Sequence, residues 1–523
     1  LADLPRQLPA ASYEGRSGTN AWRIAADTRI EDVRKKNVTI NVVDVNGTKL
    51  DGALIVLRQN SHAFQFGSAI SALDGNLATD GTDQALKYQS EITRLFNTVV
   101  IESSLKWPRF EDARQPGIDG AAFADANDLY LRGHNIVWPG RENMPASVWN
   151  EYDSRLIADG ETAAGEWLKT TVKSHVADMA STFAGLVSEW DVMNEPFDNH
   201  DVMDILGDQI VIDWYRQVRD ADPNALLTLN DYDIFSGNGN HVEHRNRFEF
   251  WLTTLAAVDL LDVIGEQGHY NDANLTDIAE LGNLIARYNT DFDTPIAITE
   301  FDVDSLDEQL QADYLRDYLT MAFSQPGVSK FLQWGFWEGA HYLPQAALYH
   351  EDFSIKPNGQ VYEDLVFGNW WTDVRGTTLD GKISVTAFQG RYDLTVEYDN
   401  QTYTAIVVVD EAGTSQLTMN LPVEAISYYV PILESASMAP VVALPVLAQA
   451  PSAQSSGQSL LDTANEIADD AVSTWQATRD EVKSSFPVDE VKDGIETVTE
   501  VVEDVKAIDE VLKTVGSWLK IFP

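Results

Sequence analysis

From about His62 to Phe367, short β-branched or aromatic runs alternate with longer helical stretches, and this alternation restricts the fold more than any other feature of the chain. The runs are Phe64 to Ile70, Asn97 to Ile101, Gly133 to Trp138, Leu186 to Val192, Ala225 to Leu229, Val263 to Gln267, Pro295 to Ile298 and Phe331 to Phe336. Segments between them, such as Asp83 to Phe96, Glu161 to Phe183 and Leu306 to Phe323, carry apolar residues at helical spacing. Such alternation builds βα units on a parallel sheet. Eight units in roughly 250–300 residues is the size of a closed (β/α)8 TIM barrel. The predicted class is therefore α/β, with the site where the strands end in their C-terminal loops.

The flanks read differently. Residues 1–36, with Pro5 and Pro9 and few periodic apolar positions, predict an extended lead-in. Within 37–61, runs at Val38 to Val43 and Ala53 to Leu57 flank Asn46-Gly47, which suits a tight turn, so a β-hairpin is expected. Two strands rarely stand alone in water. After the 62–367 barrel, residues 368–430 show strand-like runs split by turn clusters such as Asp399-Asn400, and the hairpin would complete an accessory β-sandwich with them. Residues 431–459, with Pro431, Pro440, Pro445 and Pro451, read as a linker. Residues 460–523 read as an amphipathic helical tail whose apolar positions from Val488 to Leu519 recur at steps of three and four. Packing on its own chain and self-association through the 488–519 helix both fit that stripe.

Composition removes several function classes. The 523 residues include 82 Asp+Glu against 36 Lys+Arg, a formal charge of -46 that repels phosphate backbones, so nucleic acid is not an expected partner. With no cysteine, a disulfide scaffold, a thiolate metal site and a cysteine nucleophile are excluded. No run reaches the roughly 18 apolar residues of a membrane span. The start at Leu1, without Met or leader, is compatible with a removed signal peptide or with numbering from inside a precursor. An extracellular or cell-surface location is expected.

The strand ends carry the chemistry. The fourth run closes in Trp190-Asp191-Val192-Met193-Asn194-Glu195 and the seventh in Ile298-Thr299-Glu300-Phe301-Asp302, so Glu195 and Glu300 can face one cleft. Glycosidic hydrolysis needs such a pair, one carboxyl protonated for the leaving oxygen and one ionised at the anomeric carbon. Any single Glu among 82 acidic residues is more often a solvated loop charge. The company decides: His269 in Gly265-Glu266-Gln267-Gly268-His269 can hold a nucleophilic carboxylate ionised, and Asp302 can fix its other nitrogen. His134 and Trp138 of the third run, with Glu102 and Lys106-Trp107 after the second, bring polar groups beside aromatic faces, as a sugar site requires.

Together with Asn230-Asp231-Tyr232 and Trp334-Gly335, these blocks stand in an order that resembles glycoside hydrolase family 10, the endo-β-1,4-xylanases, over residues 62–367. The resemblance implies a retaining endo-hydrolase of xylan with Glu195 as general acid/base and Glu300 as nucleophile. It further implies that Asn194 bonds the sugar 2-hydroxyl and that His269 with Asp302 holds Glu300. Glu102, Lys106, His134, Trp138, Gln267 and Trp334 would line the sugar subsites, and the scheme needs neither metal nor cofactor.

The chain departs from the family pattern at Ser103, at Pro139 and through Phe336-Trp337-Glu338-Gly339-Ala340-His341-Tyr342. The last stretch bears on the leaving-group side, and Trp337 within it is expected to bind substrate. Two alternatives stay open here: the same chemistry on a related β-glucan, or a structural or surface-assembly protein built through the tail and carrying the barrel.

Overall fold

The computed structural model describes residues 11–71, 80–410 and 416–421. The linker and tail expected over 431–523 lie outside the described residues.

Strands β1 (Lys35–Asp44) and β2 (Leu54–His62) precede a barrel of β3 (Gln65–Ile70), β4 (Thr98–Ile101), β5 (Tyr130–Gly133), β6 (Glu189–Asn194), β7 (Leu226–Asp231), β8 (Val263–Glu266), β10 (Ile296–Asp304) and β11 (Val328–Gln333). A short β9 (His269–Asn271) extends the rim beside β10. Neighbours pair in parallel in sequence order, and β11 pairs with both β10 and β3, which closes the ring. The fold is a (β/α)8 barrel. Its strands are buried on both faces, β4 and β6 along their whole length, because helices cover the outside and side chains fill the inside. Two of the described helices begin at side-chain caps: Thr82 accepts from Ala85 N, and Asp307 accepts from Gln309 N and Leu310 N.

The third strand lies earlier than the sequence predicts. It spans Tyr130–Gly133, the chain leaves the ladder at His134 and Asn135, and then Ile136 N and Val137 N rejoin β6 through Asp191 O and Val192 O. Trp138 therefore follows a broken strand rather than ending a continuous one.

Strands β12 (Asp373–Thr377), β13 (Lys382–Phe388), β14 (Gly390–Tyr398), β15 (Gln401–Val409) and β16 (Gln416–Leu421) complete two sheets, ordered β13-β1-β16 and β12-β2-β14-β15. Here the expected hairpin is corrected. Asn46-Gly47 does turn the chain, with Gly47 N bonded to Asp44 O, but β1 and β2 belong to different sheets. The two sheets share one core: Val38, Ile40 and Val42 of one and Ile55, Leu57, Leu394 and Val396 of the other are buried in a single cluster, the arrangement of two sheets packed face to face.

The lead-in is corrected as well. Ala21–Arg34 is a 14-residue helix against Glu308–Ser324. It buries only Ala26 and Ile30 and is held by polar bonds: Arg23 and Tyr13 meet the buried Asp317, and Arg34 donates to Phe323 O, Gln325 O and Val328 O. Apolar periodicity gives no sign of a helix held this way.

Candidate active site

Glu195 directly follows β6, and its φ of 49° takes the backbone into the left-handed region where the strand stops. A non-glycine residue held there costs on the order of 1–3 kcal/mol, and such positions cluster at functional sites. Gln267 donates to its Oε1 at 3.0 Å, and Asn199 lies 3.4 Å from its Oε2. Burial, with the charge of Glu300 adding to it, pushes the Glu195 carboxyl up to about 7.

Glu300 lies on β10, 4% exposed, with Asn230 Nδ2 2.7 Å from Oε1 and His269 Nε2 3.4 Å from Oε2. Burial alone would raise its pKa. His134, His269 and Lys106 outweigh that and hold it down to about 2. Two carboxyls of one chemical type are thus driven apart, one toward its protonated form and one held ionised, a split that acid and nucleophile roles would require.

His269 is fixed from both sides, with Nδ1 2.9 Å from Asp302 Oδ1 and Nε2 toward Glu300. Burial would lower its pKa, but the two carboxylates raise it well above the usual imidazole range. The ring is therefore a cation that donates from both nitrogens.

Beneath the pair runs an amide network. Asn194 Oδ1 accepts from Asn230 Nδ2 at 3.0 Å and from Gln267 Nε2 at 3.4 Å, and Thr299 Oγ1 donates to Asn230 Oδ1 at 2.7 Å. Asn230 thus links the strand ends that carry Glu195 and Glu300. Gly265 makes room for it, since a Cβ there would lie 2.5 Å from Asn230 Oδ1. Sequence reading singled out the Asn230-Asp231-Tyr232 block without giving Asn230 a role. Asn194 Nδ2 and Trp138 Nε1 are buried donors with no hydrogen-bond partner among the described residues.

His134 sits on the other flank, its Nδ1 2.9 Å from Asp191 Oδ2 and 3.7 Å from Glu300 Oε1. Asp191 also accepts from Arg132, which with Lys330 neutralises the fully buried Glu189. Trp334 meets His134 edge-on at 5.2 Å, and Lys106 Nζ lies 5.2 Å from the Trp138 ring and 6.0 Å from that of Trp334. Glu102 follows β4 at the same end of the barrel.

One expected site residue is not brought to the cleft. Trp337 is 3% exposed, stacks on Phe353 at 4.8 Å and donates from Nε1 to Glu351 O, so it is a core residue. The loop turns this ring inward against Gly339, where a Cβ would overlap it. Tyr342, five residues on, reaches Asp302 instead.

The oxygens and nitrogen of His134, Asp191 and Glu300 lie close enough together to be weighed as metal ligands. Both Asp191 oxygens already accept from Arg132 and His134, and Glu300 Oε1 accepts from Asn230. A cation would have to displace these donors beside a buried guanidinium, so the arrangement fits hydrogen-bonded carboxylates better than an ion.

The family model for glycosyl hydrolase family 10 matches residues 57–364. The chain belongs to that family. Among curated proteins, it is 28% identical over 425 residues to the Acetivibrio thermocellus anti-sigma-I factor RsgI6, covering 77% of this chain and 50% of that protein. It is 25% identical over 399 residues to Arabidopsis thaliana endo-1,4-beta-xylanase 2, covering 73% of this chain and 34% of that protein. The chain thus spans half or less of the length of these relatives. Among solved structures, native xylanase 10B from Thermotoga maritima superposes with a TM-score of 0.50 at 22% identity, over 59% of this chain and 96% of that one, a likeness of fold. In this family 10 chain, no described helix is long and apolar enough to cross a membrane.

Proposed function

We propose that the barrel hydrolyses β-1,4-xylosidic bonds within xylan with retention of anomeric configuration, Glu195 serving as general acid/base and Glu300 as nucleophile. The observation that carries this reading is the divergence of the two carboxyls, one raised to about 7 and the other lowered to about 2, one after β6 and one on β10 of a family 10 barrel. In the first step Glu300 attacks the anomeric carbon while Glu195 protonates the departing oxygen. In the second, Glu195 takes a proton from water, which displaces Glu300 from the sugar. The cationic His269 keeps Glu300 ionised and oriented, and the unpaired Asn194 Nδ2 is a donor suited to a sugar hydroxyl. Lys106, Trp138 and Trp334 supply a charge beside aromatic faces, a surface suited to ring stacking. A polymeric substrate places the work outside the cell.

One relative carries the name of an anti-sigma factor, and a barrel that only recognised glycan would not need the pair. The intact acid and nucleophile favour turnover. The test is release of reducing sugars from xylan beside mixed-linkage glucan, with proton NMR of the first anomer formed. Wild type should give the β-anomer from xylan, and Glu300→Gln should give no turnover with its melting temperature unchanged. Undiminished turnover by that variant would refute the assignment, and preference for the glucan would move the substrate.

A further inference from the structure

The stretch in which this chain departs from the pattern of its family ends beside the nucleophile. Tyr342 is half exposed, but its hydroxyl lies 2.9 Å from Asp302 Oδ2, the oxygen not used by His269. Burial, and next the charge of Asp302, drive the Tyr342 pKa far above its usual value, so the phenol remains a donor throughout the working range. The ring is held in place. His341 stacks on it at 5.4 Å with planes 16° apart, and His341 Nδ1 in turn accepts from Leu343 N at 2.9 Å. Burial keeps His341 neutral, its pKa lowered to about 4, so it serves as packing and acceptor rather than as a competing cation. Gly335 admits this imidazole because a Cβ there would come within 2.8 Å of His341 Cδ2. The start of the loop is pinned by Glu338, which meets Lys356 at 3.3 Å and His350 at 3.2 Å.

We infer that Tyr342 is a positioning residue for the nucleophile: its hydroxyl fixes the second oxygen of Asp302, and the immobilised carboxylate holds His269 against Glu300. The inference rests on the reading of Glu300 as nucleophile. A carboxylate held through one oxygen can swing about its Cβ–Cγ bond; held through both, it keeps its plane and presents Oδ1 to His269 in one direction. The contact from His269 to Glu300, at 3.4 Å, is the longest link in the chain and has the most to lose from such a swing. The titratable and charged groups that face Glu300 are Lys106 after β4, Arg132 and His134 on and after β5, Glu195 after β6 and His269 after β8. Tyr342 acts on this set through Asp302 and His269.

The test uses the full chain and Tyr342→Phe, which keeps the ring and removes the hydroxyl. With xylan as substrate, kcat should fall roughly tenfold, the usual consequence of losing a hydrogen bond to a charged group, with KM nearly unchanged. The acid limb of the pH profile should move up, because a loosened His269 allows Glu300 to protonate earlier. Independently of turnover, the downfield His269 Nδ1 proton resonance should exchange faster with water in the variant. Tyr342→Ala should match Tyr342→Phe in kcat. Unchanged kcat, acid limb and imidazole resonance in Tyr342→Phe would overturn the proposal, as would a defect confined to Tyr342→Ala, which would assign the effect to the ring. If wild type cleaves no xylan, the functional reading fails, and the resonance still decides whether Tyr342 holds His269.

Discussion

Asn230 donates from Nδ2 to Oε1 of Glu300 at 2.7 Å, and the same amide nitrogen lies 3.0 Å from Oδ1 of Asn194, the residue before Glu195. One buried amide therefore sets the lateral position of Glu300 and couples it to the strand end that carries Glu195. Asn230→Ala should lower kcat on xylan by at least about tenfold, since it removes a hydrogen bond to a buried charge. KM should change little. Steady-state kinetics beside a thermal melt separate this from unfolding, and unchanged kcat would show that Glu300 does not depend on the bond.

The pH profile follows from the two carboxyls. Glu195 must carry its proton to act as acid, and with its pKa raised to about 7, kcat/KM should decline as pH rises past that value. Glu300 must be ionised, and with its pKa near 2 the acid limb should lie far below the usual carboxylate range. Measured on an aryl xyloside with a good leaving group, Glu195→Ala should lose the basic limb. A limb that persists in that variant belongs to another group.

The network under the site makes its own forecast. Glu189 is fully buried, bonded to Arg132 at 2.8 Å and Lys330 at 2.6 Å. Burial would raise its pKa, but the two cations hold it down to about 2 against an ordinary value of 4.5. A depressed carboxyl contributes stability that is present above its unfolded pKa and is lost as pH falls through the folded one. Stability should therefore drop between about pH 4.5 and 2. Lys330→Met should destabilise the barrel by roughly 3–5 kcal/mol near neutrality, because it strands a buried charge. Urea titrations at several pH values read both effects.

Two tryptophans should part company. Trp337→Ala empties a core position and should cost roughly 3–5 kcal/mol of stability. Trp138, partly exposed beside Lys106 Nζ, should on truncation raise KM for xylan while leaving the melt nearly unchanged. Equal thermal shifts in the two variants would contradict their different placements.

Much of this molecule is readable in one dimension. The alternation of runs from Phe64 to Phe336 determines the barrel, because strands buried on both faces and amphipathic helices each leave a local periodic mark. Glu195, Glu300, His269 and Asp302 stand at the strand ends where that architecture exposes side chains together. Other features needed the tertiary structure. The turn at Asn46-Gly47 is visible, but whether the strands beyond it pair or face one another depends on which sheet can bury Val38 and Ile55 together. The helix Ala21–Arg34 owes its place to Asp317 and to carbonyls nearly 300 positions away. Asn230 and Tyr342 act through bonds to Glu300 and Asp302, partners 70 and 40 positions distant. Trp337 turns inward while Tyr342 turns toward the site. Periodicity records which face of an element is buried; it holds no information about which distant group will satisfy a given donor, and that choice is made only when the elements pack.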